Sequence, residues 1–377
     1  MRLRGDFMVP YMAKKLPFEE EINYNKITKQ LLSTNSSVSK FDGMLEEATI
    51  NKELFLNPLT KKEAVLSSKI EGTQATLTEF LEIEVEDGKT TSATKYDDFI
   101  EILNYNKAIA YAEEELNDKN KITLWMIRSI HKILLDGARG KDKNPGEFRK
   151  DQNWIGKPHS TIEEATFIPV APELLIDNLE NLEKYISEYD EQSALVQAAI
   201  IHAQFEKIHP FKDGNGRIGR MLIPLFLYYK KVMSRPVLYV SEFLEENREE
   251  YYYRLNKIDE ENGWVEWILF FLSAVETQSN KNIEKIKKLQ NLYEEYKTII
   301  NEILNTKNSI YILDALFQHP ICKSSTIYDV VCKKTNIDSS TIDRYMKKLV
   351  ENGILMPEND KERHKKYYFK KLIDIIQ

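Results

Sequence analysis

Four residues with chemistry in them stand close together in the run His209-Pro210-Phe211-Lys212-Asp213-Gly214-Asn215-Gly216-Arg217-Ile218-Gly219-Arg220. Proline disfavours helix at the residue before it, so a helix arriving through Ile208 is expected to stop at His209. Gly214-Asn215-Gly216 supplies a turn, and the apolar spacing of Met221, Leu222, Leu225 and Phe226 announces a new helix. A loop feeding a helix N-terminus offers free N–H groups and the positive end of the dipole to an anion. Arg217 and Arg220, three apart, project from one face of that helix, and arginine suits forked contacts with phosphate oxygens. A lone carboxylate, Asp213, beside phosphates is a usual anchor for Mg²⁺, which keeps waters and substrate in its other positions. His209, at the mouth of the loop, has an ordinary pKa that suits it to take a proton near neutrality. Taken singly, a histidine is most often structural, a Gly-Asn-Gly turn only a turn, and two helical arginines a surface ion pair. Their coincidence points to chemistry on a phosphate.

A second constellation is Ser67-Ser68-Lys69-Ile70-Glu71-Gly72. Lys61 to Ile70 reads as a helix, with Glu71 near its end and Gly72 as a stop. Ser67 and Glu71 share one face at i,i+4. Taken alone, this glutamate is a solvated helix end. His202 lies seven residues before His209 on the same helix face and reads as a core or supporting histidine. His131, His159, His319 and His364 have no constellation around them in sequence.

The elements that must position these residues are mainly helical. Apolar residues recur at three- and four-residue spacing over Tyr96–Leu116, Leu124–Leu135, Glu173–Ser187, Ser193–Lys207 and, after Asn262-Gly263, from about Trp264 to Leu304. Asp136–Pro172 breaks the pattern with Gly137, Gly140, Pro145, Gly146, Gly156, Pro158, Pro169 and Pro172. Within it, Asn153-Trp154-Ile155 and Thr166-Phe167-Ile168 are placed to pair as a hairpin across a polar loop. So long a loop in a helical protein points to function or disorder. At the end of the chain, helices are expected at Ile310–Gln318, Ser324–Lys334 and Ser339–Asn352, then a ribbon from Ile354-Leu355-Met356 and Lys366-Tyr367-Tyr368-Phe369. That is the outline of a winged helix.

A chain of 377 residues exceeds one compact domain of ordinary size. The expected organisation is an N-terminal region over 1–95, a core over 96–262, a long connecting helix over 263–305 and a winged-helix-like domain over 306–377. A formal net charge of −7 argues against a protein that coats nucleic acid as a whole. The segment from Thr306 to Gln377 runs the other way, with 13 Lys and Arg against 9 Asp and Glu. Two cysteines, Cys322 and Cys332, make neither a disulfide framework nor a zinc motif, which fits a reduced, cytoplasmic protein. Apolar runs at Met221–Tyr229 and Trp267–Val275 are too short to span a bilayer, and the basic N-terminus lacks the apolar stretch of a signal peptide.

The 209–220 run resembles the signature of Fic proteins, His-x-Phe-x-Asp/Glu-Gly-Asn-Gly-Arg-x-x-Arg, at every defined position. Glu147-Phe148-Arg149 and Gln152-Asn153-Trp154-Ile155-Gly156 resemble the flap region of these proteins, and the similarity runs from about Leu16 to Trp267. The resemblance implies a helical Fic core with a short β-hairpin flap, and a protein adenylyltransferase that moves AMP from Mg-ATP to a Ser, Thr or Tyr hydroxyl. His209 would take the hydroxyl proton, Phe211 anchor the loop and Asp213 bind Mg²⁺. Gly214, Asn215 and Gly216 would hold the α- and β-phosphates, with Ile218 and Gly219 in the same helical turn, and Arg217 and Arg220 the outer phosphates. Ser67, Glu71 and Gly72 resemble the inhibitory Ser/Thr-x-x-x-Glu-Gly motif of the class that carries it N-terminally. Glu71 would pair with Arg220 and withhold it from ATP. Tyr251 and Tyr252, from Tyr251-Tyr252-Tyr253, are candidates to face the base, with packing between helices the alternative. Thr166-Phe167-Ile168 would be the flap edge that pairs with an extended segment of the target protein. Automodification and a homodimer are further expectations of partnership; a membrane is not.

Two other readings stay open at this level. One makes the chain a DNA-binding regulator, with Ser339–Tyr345 opening a recognition helix and Lys361, Arg363, Lys365 and Lys366 forming a basic wing. The other keeps the enzyme and reverses it, with Glu71 positioning water to remove AMP from a modified protein.

Overall fold

A computed structural model of the chain describes residues 9–18, 22–47, 51–86, 92–138, 142–156, 160–358 and 365–377. His159, His364, Lys361 and Arg363, singled out above, lie outside the described residues. The helices in chain order are α1 (Tyr24–Glu47), α2 (Glu53–Ile70), α3 (Leu77–Val85), α4 (Ala93–Lys119), α5 (Leu124–Leu134), α6 (Leu175–Glu188), α7 (Ala194–Ile208), α8 (Asn215–Tyr229), α9 (Ser241–Glu246), α10 (Arg248–Asn256), α11 (Gly263–Leu304), α12 (Ser309–Gln318), α13 (Ser324–Val331), α14 (Ser339–Glu351) and α15 (Lys370–Ile376). The strands β1 (Ile321–Cys322), β2 (Met356–Pro357) and β3 (Tyr367–Tyr368) form one antiparallel sheet of order β1-β3-β2. The mainly helical fold expected from the periodicity is therefore found.

Several helix starts follow from their capping residues. Thr123 accepts from Met126 N at α5, Ser193 from Leu195 N at α7, and Asp338 from Thr341 N at α14. Thr76 and Glu79 close a reciprocal capping box on α3. Helix α2 begins earlier than the sequence suggests: it runs through Pro58 from Glu53.

Two compact units are present. The first comprises Met1–Gly43, Leu66–Gly72 and Leu103–Asn280. At its centre α7 packs on α8. Every residue of α7 from Leu195 to Ile208 is buried, as is every residue of α8 from Asn215 to Leu227. A helix buried on all sides belongs in a core, and this pair carries the 209–220 run between its members. Helices α5 and α6 pack beside them, and Trp267, fully buried, donates from Nε1 to Ala199 O at 2.9 Å.

The second unit comprises Met44–Val65, Thr73–Ile102 and Lys281–Gln377. Its register pairs Ile321 and Met356 with Tyr368, and Cys322 and Pro357 with Tyr367. Tyr293, Tyr296, Phe317 and Phe369 build an aromatic cluster around it. Cys322 and Cys332 are both free thiols. Among the described residues, no helix is long and apolar enough to cross a membrane.

Candidate active site

Helix α7 ends where Pro210 requires it to. His209 is its C-cap, left-handed at φ 52 and ψ 62, with its N–H on Phe205 O at 2.9 Å. A residue with a side chain is uncommon in that region. The ring Nδ1 lies 3.1 Å from Glu206 O. A carbonyl only accepts, so Nδ1 carries the hydrogen and Nε2 holds the lone pair. Burial lowers the His209 pKa to about 4, against the opposing pull of the Glu206 carbonyl and the Glu71 charge, while Arg149 adds to the fall. The ring is therefore neutral at pH 7, the state a proton acceptor needs.

The loop after His209 is fixed at both ends. Phe211 is fully buried, stacked on the His131 ring at 3.8 Å and 9°. Asn215 closes the turn, accepting from Phe211 N and donating to Phe211 O, each at 2.8 Å. His131 takes Gly146 N–H on Nδ1 at 2.7 Å and reaches Asp213 O from Nε2 at 3.1 Å. An N–H only donates, so Nδ1 is bare and Nε2–H donates to Asp213 O. Burial lowers the His131 pKa to about 4 and keeps that arrangement neutral. Sequence reading gave His131 no partners. Its contact with Asp213 spans 82 residues, and nothing local announces it.

Gly214, at φ 76, caps the N-terminus of α8. Asp213 Oδ1 accepts from Gly214 N at 2.5 Å and pairs with Arg217 Nη2 at 3.3 Å, while Oδ2 has no partner among the described residues. The Asp213 side chain is 39% exposed. No group of three or more His, Cys, Asp or Glu converges among the described residues. One open carboxylate oxygen beside a helix N-terminus fits Mg²⁺, which commonly takes one or two carboxylates and completes its shell with waters and substrate phosphates.

Glu71 and Ser67 meet Arg220. Arg220 Nη2 lies 2.7 Å from Glu71 Oε1 and donates to Ser67 O at 2.8 Å, while Nε donates to Ser67 Oγ at 2.9 Å. The pair is asymmetric, since the Arg220 side chain is 1% exposed and that of Glu71 35%. Burial pushes the Glu71 carboxyl up, but Arg220, Arg217 and His209 together hold it below its usual value. Burial pulls the Arg220 guanidinium down, and Glu71, Tyr251, Glu206 and Tyr252 together more than reverse this. Gly72 turns the chain at φ 106, and Arg248 Nη2 donates to Ile70 O.

Glycine at 216 is what lets Glu71 in. A Cβ there would overlap Glu71 Oε1 and come within 2.9 Å of Arg220 Nη1. Gly216→Ala is expected to cost about 1 kcal/mol of stability, the low end for overpacking because the carboxylate tip can shift. Glu71→Gly in the same background should recover most of that loss. Denaturant unfolding of the two single variants and the double one measures the coupling.

The remaining candidates are placed as follows. Ile218 is fully buried, so its side chain serves the core. Gly219 lies under the Glu206 carboxylate. Glu206 Oε1 has no hydrogen-bond partner among the described residues, and burial raises its pKa to about 8. Tyr251 is 1% exposed, its hydroxyl 3.0 Å from Nε2 of the buried His202. Tyr252 is 38% exposed, its ring 6.0 Å from the Arg248 guanidinium. Of the two tyrosines, only Tyr252 keeps a ring open to a ligand.

The flap is slighter than a hairpin ribbon. Ile155 and Phe167 form one antiparallel bridge, and Ile155 O accepts from Thr166 N, Thr166 Oγ1 and Phe167 N. The far edge of 166–168 meets the chain's own N-terminal segment: Tyr11 N donates to Ile168 O at 2.9 Å and its ring lies 5.6 Å from Phe167. Lys207 Nζ sits 4.1 Å over the Tyr11 ring and pairs with Asp259 at 2.5 Å.

The chain is similar to known proteins in sequence and in fold. The Fic/DOC family pattern matches residues 121–227, and the Fic/DOC family N-terminal pattern matches residues 28–114. A protein adenylyltransferase Fic of Drosophila willistoni is 32% identical over 177 residues, 44% of this chain and 32% of that protein. A probable protein adenylyltransferase of Aquifex aeolicus is 26% identical over 175 residues, 46% of this chain and 50% of that protein. The matches therefore span no more than half the length of these relatives. The crystal structure of a Fic family protein from Desulfovibrio desulfuricans, 18% identical, shares the fold with a TM-score of 0.58 over 93% of this chain and 97% of that one. With both family patterns matched in succession and the fold shared almost end to end, the chain belongs to the Fic/DOC family.

Proposed function

We propose that this protein is an adenylyltransferase that moves AMP from Mg-ATP to a Ser, Thr or Tyr hydroxyl of a protein and is restrained by Glu71. The observation that carries the reading is the state of His209: its Nδ1–H is held by Glu206 O, so Nε2 is a bare proton acceptor beside a glycine-capped helix N-terminus with two buried arginines. The target hydroxyl oxygen bonds to the α-phosphorus and passes its proton to His209 Nε2. The bond from the α-phosphorus to the α–β bridging oxygen breaks, and pyrophosphate leaves. Backbone N–H groups at the start of α8 and the Arg217 and Arg220 guanidinium groups offset the phosphate charge, so catalysis is by positioning and electrostatics. Asp213 would hold Mg²⁺, which neutralises phosphate charge when bound. Tyr252 is the tyrosine proposed to face the base. Incubation with α-labelled and, separately, γ-labelled ATP tests the reading. Label on protein is expected only from the α position, and label from the γ position alone would show phosphorylation instead.

Asp213→Ala is expected to lose the Mg²⁺-dependent transfer, since it removes the carboxylate with an open oxygen. Wild-type transfer that persists at full rate in excess EDTA would refute the metal role.

The flap is the proposed docking place for an extended target segment, with this chain itself among the substrates. The DNA-binding reading draws less support, because Lys366 of the expected wing is paired with Glu86 at 2.9 Å and Glu358 at 3.0 Å.

A further inference from the structure

We propose that Arg149 is a positioning residue that ties the flap to the proton acceptor through one guanidinium. This rests on the transferase reading of the same site. Arg149 is 3% exposed. Its side chain donates to His209 O from Nε at 2.9 Å, to Asp151 O from Nη1 at 3.1 Å, and to Ile208 O at 3.3 Å and Val170 O from Nη2. Its own N–H donates to Pro210 O at 2.9 Å. All of these acceptors are main-chain carbonyls.

Two of them, Ile208 and His209, end α7, where carbonyls lack intrahelical partners and the dipole favours a cation. The other two acceptors of the side chain, Asp151 and Val170, stand at the feet of the two flap segments that meet at Ile155 and Phe167. One rigid group therefore sets the distance between the flap and His209. It also holds the carbonyl of a residue whose left-handed backbone is disfavoured for a side chain. Four diverging acceptors need a planar, multi-donor fork, which a lysine ammonium does not reproduce. The guanidinium charge also disfavours protonation of the His209 ring. In the proposed site Arg149 would touch neither the phosphates nor the hydroxyl, its hydrogen bonds being directed to main-chain carbonyls. It acts through His209 and the flap.

The test uses the full chain carrying Glu71→Gly, with Arg149→Lys and Arg149→Ala added singly. Transfer of AMP to protein is expected to fall roughly 100-fold in both, the scale for a reacting group displaced by about 1 Å. The loss should lie in kcat, with KM for ATP unchanged. Millimolar guanidinium ion should restore part of the rate to Arg149→Ala and none to His209→Ala. By NMR titration, the His209 ring should protonate at higher pH in Arg149→Ala than in the parent. A folded Arg149→Lys with parental kcat would overturn the proposal, as would a loss confined to KM for ATP. So would an unmoved His209 titration with no guanidinium rescue. Should Arg149→Ala fail to fold, Arg149→Lys decides through its kcat against its KM for ATP. If the Glu71→Gly parent itself transfers no AMP, the transferase reading fails, and the titration still decides whether Arg149 governs His209.

Discussion

Glu71→Gly is expected to raise AMP transfer at least tenfold over wild type, and Arg220→Ala added to it should remove the gain. Arg220 is buried and bound by Ser67 Oγ, Ser67 O and Glu71 Oε1. Removing a partner from a buried charge is ordinarily costly, because the survivor is left unpaired. Here the γ-phosphate of ATP would replace the lost carboxylate, so the substrate absorbs the penalty. Glu71 itself is about one-third exposed, and solvent screens its side of the pair, which keeps the switch from being locked. A bias of about 1.4 kcal/mol between productive and unproductive poses is already tenfold in population. The gain should appear in turnover more than in ATP affinity. Glu71 also favours protonation of His209, so the variant should hold its activity to slightly lower pH than wild type. Turnover with α-labelled ATP, measured on automodification and on a lysate, decides the matter. No increase in Glu71→Gly on any substrate would return Glu71 to the status of an ordinary helix end.

His209→Ala should reduce transfer by roughly 10²- to 10⁴-fold, the range for a positioned general base, while ATP binding persists. The proposed geometry separates the two effects, because the phosphates would face the start of α8 and the imidazole the hydroxyl. With its pKa lowered to about 4, the wild-type ring accepts protons throughout the neutral range. Activity should decline as pH falls through that value and the ring protonates. The residual rate of His209→Ala should lack this acid limb. Calorimetry of ATP binding alongside label incorporation is the measurement. Lost affinity in step with lost rate would make His209 a scaffold residue instead.

Much of this site could be read from the sequence because its parts are consecutive. Pro210 and Gly214 dictate a helix stop and a helix start by local sterics, and the arginines follow at helical spacing. The pairing of Glu71 with Arg220 came only from family resemblance, since no local rule joins residues 149 apart. His131 and Arg149 were missed as supports for the same reason: their acceptors are backbone carbonyls, which have no identity in a sequence. Helix α1 escaped notice because Thr34 and Ser37 stand at buried positions where apolar residues are expected. Thr34 is accommodated by bonding to Gln30 O and Leu272 O. Strand β1, two residues long, is too short to show a period. Among the described residues the flap shows one bridge of its expected ribbon, with Ile155 O receiving three donors. Helical periodicity cannot choose between adjacent tyrosines, and packing put Tyr251 inside and left Tyr252 out.

The hydrogen bond from Tyr11 to Ile168 would change the thermodynamics of the docking proposed at the flap. A bare strand edge would gain a main-chain hydrogen bond with each suitable guest, whatever its sequence, and would invite edge-to-edge association. At Ile168 such a guest would instead exchange with a donor already in place. One N–H···O bond replaces another, and the net enthalpy of backbone pairing there is near zero. The displaced segment regains conformational freedom, which partly offsets the ordering of the guest. Discrimination between guests at this position therefore falls to their side chains, which must match what Tyr11 gives up: a ring against Phe167 and beneath the Lys207 ammonium.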